Sequence, residues 1–160
     1  MQSDSLRNQL TATESNRLSP QEIDQFLAER RIGYLGTVSR SVQAHLTPVW
    51  FWYENQSAYF VLGARRVHLA NLRVSPNATL LVEEDLRLTQ GWRGNARAVL
   101  IKGVATKVDD LSEFSRICRA MERKYLGDDA DDPGFREAEA SETYVMWSLT
   151  AQPTRSWKLG

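Results

Sequence analysis

The eleven residues Gln43 to Tyr53, QAHLTPVWFWY, constrain the fold more than any other stretch of the chain. The run is rich in β-formers and reads as one long strand. Successive strand side chains alternate between faces. His45, Thr47, Val49, Phe51 and Tyr53 therefore share one face, and Leu46, Pro48, Trp50 and Trp52 the other. Both faces are largely apolar and aromatic. A small barrel normally buries one face and wets the other, so burial of both implies a second layer: a helix, a partner subunit or a flat ligand. Pro48 removes a backbone donor and is unusual in a central strand. It marks an edge, bulge or kink, where something other than a strand can approach the backbone.

The flanking sequence supplies more strands. Gly33 to Val38, Ala58 to Leu62, Ala78 to Glu83, Ala98 to Val108 and Glu142 to Leu149 are short and apolar, and Arg155 to Leu159 is a candidate short last strand. Gly103, inside the fifth strand, suggests a bulge or bend. Gln90 to Arg97 reads as a turn running into that strand. Three helices accompany them. Ser19 caps the first, with Pro20 and Glu22 at the first and third positions. Arg66 to Val74 is a short second helix stopped before Pro76. The third runs from Asp109 or Asp110 to Leu126, with Leu111, Phe114, Ile117, Cys118, Met121 and Tyr125 on one face. Asp128 to Ala140 reads as an acidic connection. Strands at short spacing joined by turns favour an antiparallel barrel over a parallel sheet. Residues 1–18 read as a polar N-terminal tail and 19–160 as one domain.

Composition excludes several classes. The chain has 160 residues, with 20 Lys+Arg against 20 Asp+Glu. That length buries a core without disulfides. Zero net charge argues against a general nucleic-acid binder. No apolar run approaches the roughly 18 residues of a membrane helix, and no signal peptide is expected, so the default location is the cytoplasm. The single cysteine, Cys118, rules out an intrachain disulfide and a Cys-based zinc site.

Chemistry-bearing positions are few. In LGARRVHLAN, Leu62 to Asn71, a strand ends, Gly63 permits a tight turn, and Arg65 and Arg66 precede a helix start. Two guanidiniums and free helix N–H groups together attract a phosphate. A solvated corner is the plain alternative. His68 contributes a donor or faces solvent. His45 and His68 lie on different elements, which argues against a two-His metal site, and no metal is expected. Asp128, Asp129, Asp131 and Asp132 lack the closing Glu of an EF-hand loop and read as solvated. No nucleophile elbow, P-loop or dinucleotide fingerprint is present.

In order and spacing, FLAERRIGYLGTV, HLTPVWFWY, YFVLGARRVHLANLRVSPNATLLVEED, RAVLIKGVATKV and the closing RSWKL resemble the pyridoxamine 5′-phosphate oxidase-like family of flavin-binding split barrels. The resemblance spans about Pro20 to Trp157. It implies a mainly β (α+β), six-stranded antiparallel split barrel with flanking helices, forming a homodimer with two interfacial sites. It implies FMN, or alternatively a deazaflavin, as cofactor. The strand backbone at Thr47, Pro48, Val49 and Trp50 would lie along the flavin ring. Leu62, Gly63, Arg65, Arg66 and His68 would form the phosphate end, and Trp50 and Trp157 would shape the ring pocket.

The family pattern is not kept everywhere. Ala64 stands where the oxidase loop has a serine, His68 where many smaller relatives have a lysine, Leu62 where they have a threonine, and Ala98 where a glutamine often follows the arginine. Lost contacts of this kind are worth about 1–3 kcal/mol each, and Arg65 and Arg66 would compensate. The resemblance implies hydride transfer through flavin N5 to or from a small-molecule substrate, and it names no catalytic acid or base. A non-catalytic flavin or haem carrier, with His45 or His68 as axial ligand, stands beside it, as does a dimer whose cofactor site has decayed.

Overall fold

Ser19 caps the first helix through a reciprocal box: its Oγ accepts from Glu22 N–H at 3.3 Å and the Glu22 carboxylate accepts from Ser19 N–H at 2.7 Å. The computed structural model describes residues 17–84, 96–140 and 143–158. In chain order the elements are α1 (Pro20–Ala28), β1 (Gly33–Val38), β2 (Ala44–Val49), β3 (Trp52–Glu54), β4 (Ser57–Gly63), α2 (Val67–Val74), β5 (Asn77–Glu83), β6 (Arg97–Val108), α3 (Leu111–Leu126), α4 (Pro133–Ala140) and β7 (Tyr144–Lys158).

The strands form one antiparallel sheet in the order β2-β1-β5-β6-β7-β4-β3. Its two edge strands, β2 and β3, are separated in sequence only by Trp50 and Phe51. Three Cα–Cα steps reach about 11 Å, whereas six flat inter-strand gaps would span about 29 Å. The sheet must therefore curl until its edges meet, which makes it a barrel split at Trp50–Phe51. The expected single strand from Gln43 to Tyr53 is thus two strands, broken where the chain passes from one edge to the other.

Two further expectations are corrected. The acidic connection contains α4, because Asp132 and Pro133 supply a cap and a first helical residue. The sixth and last strands are one strand, β7, which pairs with β4 through Tyr144–Thr150 and with β6 along nearly its whole length. The irregularity expected at Gly103 falls slightly earlier, as a register shift between Leu100 and Lys102. Gly103 has a different reason to be glycine: a Cβ there would lie 2.0 Å from the Thr150 carbonyl oxygen.

The barrel interior holds Leu35, Phe51, Phe60, Leu80, Ile101 and Leu149, closed by Phe26 and Leu27 of α1 and Leu69 and Leu72 of α2. Leu18 joins this core, with its N–H on Ser156 Oγ at 3.1 Å. Residues 1–16 of the expected tail and residues 90–95 of the expected turn Gln90–Arg97 lie outside the described residues. A second cluster, Phe114, Ile117, Cys118, Met121, Tyr125, Ala138 and Met146, packs α3 and α4 on the outside of the sheet.

Candidate functional site

The break between β2 and β3 interrupts the hydrogen-bond ladder at Phe51, and α3 repairs it. Phe51 N–H donates to Tyr125 Oη at 3.1 Å, and Phe51 C=O accepts from Lys124 Nζ at 3.1 Å. Tyr125 Oη donates to Arg31 C=O at 2.7 Å, and Lys124 also donates to Leu27 C=O at 2.8 Å. The ammonium sits 3.8 Å from the Phe51 ring centroid. Burial, with Arg31 nearby, pushes Lys124 down to about 7. Burial pushes the Tyr125 phenol up to about 12.

Held this way, Phe51 points into the core and Trp50 points out. The Trp50 indole lies on the Tyr125 ring with centroids 4.6 Å apart, and Phe135 of α4 approaches it to 6.0 Å. Trp50 and Phe135 form part of the wall of a cavity of about 450 Å³, within the range of small-molecule sites. Thr47, Pro48, Val49 and Trp50 come from the β2 end, Val61, Leu62 and Gly63 from β4, and Arg66 and His68 from the start of α2. Met121, Asp132, Gly134, Phe135, Ala138 and Tyr144 complete it. Because among the described residues β2 pairs only with β1, its other edge is a backbone edge that a ligand can meet, and Pro48 on it has no N–H to satisfy.

The α2 end is the polar one. Arg66 N–H donates to Gly63 C=O at 3.0 Å, making the tight turn that glycine permits, and Ala64 N–H is held by Thr143 C=O at 2.7 Å. Arg66 is the N-cap, and its carbonyl accepts from Leu69 and Ala70. The Val67 and His68 N–H groups precede the helix's first internal bonds, so this end is rich in donors and carries the positive dipole end. Asn71 anchors the helix to β1 by donating to Thr37 Oγ1 at 3.0 Å.

His68 is only 9% exposed, and its Nε2 has no hydrogen-bond partner among the described residues. An unpaired buried polar atom costs about 1–3 kcal/mol unless a ligand or water meets it. The His45 ring stacks near it at 6.1 Å. Burial first, then His45 and Arg66, hold His68 below the usual histidine range, so the ring is neutral at pH 7.

Of the residues singled out in the sequence, Thr47, Pro48, Val49, Trp50, Leu62, Gly63, Arg66 and His68 meet in this cavity. Arg65 lies exposed in the turn beside it. Trp157 pairs with Ala98, at the far end of β7 from the Tyr144 that pairs with Gly63, and does not line the cavity. The contribution of α4 was missed. Asp132 Oδ1 accepts from Gly134 N–H at 2.7 Å, so the Asp-Pro-Gly sequence was itself the start signal. The surrounding acidic residues obscured the Phe135 and Ala138 spacing. Among the described residues, no group of three or more His, Cys, Asp or Glu side chains could hold a metal. Nor is any described helix long and apolar enough to cross a membrane.

An antiparallel sheet closed on itself through one broken strand, with a helix-walled cavity at the break, defines a split barrel. The chain belongs to the pyridoxamine 5′-phosphate oxidase family, whose model it matches over residues 19–158. Among solved structures it is similar to the conserved hypothetical protein Rv2991 from Mycobacterium tuberculosis, with 24% identity, a TM-score of 0.78, and coverage of 92% of this chain and 89% of that one. It is also similar to HutZ, the haem storage protein from Vibrio cholerae, with 19% identity, a TM-score of 0.67, and coverage of 86% and 93%. A third similar structure is an F420 reductase, with 16% identity, a TM-score of 0.62, and coverage of 82% and 95%. At these identities the likeness is one of fold. No curated protein sequence matches the chain.

Proposed function

We propose that the cavity binds FMN and that the protein is a flavin-dependent oxidoreductase acting on a small-molecule substrate as a homodimer. One observation carries the reading: the free edge of β2 at Pro48 and the start of α2, with the Arg66 guanidinium and the neutral His68 imidazole, line the same aromatic-walled cavity. Arg66 and the first N–H groups of α2 would hold the phosphate. Thr47, Pro48 and Val49 would lie along the ring, and Trp50 would bound it. FMN, when bound, supplies hydride transfer at N5, and the protein supplies orientation and electrostatics.

The dimer is supported by apolar side chains left at the surface beside the cavity. Leu46 on β2 is 65% exposed and Val67 on α2 is 58% exposed. A second copy covering them would bury both and is also the route by which Trp157 would reach a ring pocket. A haem carrier is the competing reading, favoured by the unpartnered Nε2 of buried His68. It draws on the similarity to the haem storage protein.

Absorbance scans of the purified protein, titrated separately with FMN, deazaflavin F420 and haemin, test both readings, with sedimentation for the dimer. FMN binding below about 10 μM with quenched flavin fluorescence supports the oxidoreductase. Binding of F420 with FMN refused replaces the cofactor but keeps the reaction type. A Soret shift abolished by His68→Ala, with FMN refused, replaces the enzyme with the carrier.

A further inference from the structure

His68 carries an inference that rests on the flavin reading and goes beyond it. The imidazole is buried, its Nε2 is unpartnered, and it shares a cavity with Arg66 and the turn at Gly63. The titratable and charged groups around that cavity are Arg66 on its own helix, Arg65 in the turn before it, His45 on β2, Tyr144 on β7 and Asp132 ahead of α4. On β1, the neutral Thr37 accepts from Asn71, and Tyr34 stands opposite Pro48 in the ladder. Without a ligand, burial first and then His45 and Arg66 hold the ring below the usual histidine range.

A phosphate monoester changes that balance. Its second pKa is about 6, so it arrives near pH 7.5 mostly as a dianion. A dianion beside an imidazole favours the cation, opposing burial. We propose that His68 makes FMN binding proton-coupled: as the phosphate enters the cavity, one proton is taken from solvent and held between His68 Nε2 and a phosphate oxygen. The site then selects the phosphorylated flavin over riboflavin. FMN affinity falls as pH rises, because the bound state carries the extra proton, by about tenfold from pH 6.5 to 8.0.

The test is calorimetric titration of the full chain with FMN, at pH 7.5, in Tris and in HEPES, whose ionisation heats differ. The expected difference corresponds to roughly 0.5–1 proton taken up per FMN, and to none for riboflavin. His68→Gln should weaken FMN about tenfold and abolish uptake. His68→Lys should keep affinity within about threefold and also abolish uptake, because an amine arrives already protonated. A merely structural histidine would not separate affinity from proton count in this way. If FMN binds with no buffer dependence in the unsubstituted protein, or if uptake persists in His68→Gln, the inference is overturned and the flavin reading stands. If FMN does not bind, both fall together. The buffer comparison and riboflavin control need no variant, so poor folding of a His68 substitution leaves the test intact.

Discussion

The Tyr125 phenol ring lies parallel to the Trp50 indole, with 2° between the planes. The same tyrosine does two jobs at the broken strand. Its face supports an aromatic wall of the cavity, and its hydroxyl satisfies the Phe51 backbone.

Tyr125→Phe separates those jobs. The stack remains, but the buried Phe51 N–H and Arg31 C=O lose their partner. A loss of about 1–3 kcal/mol follows, read by calorimetry as a melting temperature lower by about 3–8 °C. Ligand affinity should change less than threefold, since the Trp50 support is kept.

Lys124 gives stability an unusual pH dependence. Its native pKa is about 7, against 10.5 for the ordinary group. Between those values the unfolded chain binds a proton that the native chain does not, so stability rises with pH. The Tyr125 phenol, raised to about 12, acts the other way, but only above about pH 10. Denaturant unfolding should therefore show a gain on the order of 2–4 kcal/mol from pH 7 to 9.5. Lys124→Met should flatten that rise, and a slope that survives the substitution would assign it elsewhere.

The two arginines of the turn are predicted to differ. Both side chains are exposed, but Arg66 lines the cavity and Arg65 does not. Arg66→Ala should weaken FMN more than tenfold, about 1.4 kcal/mol, and Arg65→Ala less than threefold. Equal losses in fluorescence titrations would move the phosphate contact to the turn as a whole.

Gly103→Ala should cost several kcal/mol, because the new methyl meets the Thr150 carbonyl across the β6–β7 ladder. Gly36→Ala is the matched control: its nearest neighbour, the Thr79 carbonyl, lies 3.5 Å away. Urea midpoints should fall steeply for the first substitution and change little for the second.

The barrel class was legible in the sequence because alternation and turn residues act locally. Ser19-Pro20, the Gly63 turn and the long amphipathic helix are each specified within a few residues. The break at Trp50–Phe51 was not, because its cause is remote: Lys124 and Tyr125 supply the hydrogen bonds that make leaving the ladder tolerable. The β2, β4 and α2 walls of the cavity were named by what the family resemblance implies for Thr47–Trp50 and Leu62–His68. The α4 wall could not be named, since Phe135 meets Trp50 only through the tertiary fold.

Among the described residues, β7 alone joins the four-strand half, β2-β1-β5-β6, to the two-strand half, β4-β3. Thr47 and Gly63 stand on opposite sides of that seam. During synthesis the β2 and β4 parts of the cavity wall emerge early, yet among the described residues the halves have no ladder between them until residues 144–158 leave the ribosome. A nascent chain stalled before Tyr144 would carry nearly all the contacts for a ligand and no cavity to hold it. Ligand capture thus reports on synthesis of β7, and a ligand-dependent signal from stalled nascent chains should switch on only as that strand clears the exit tunnel.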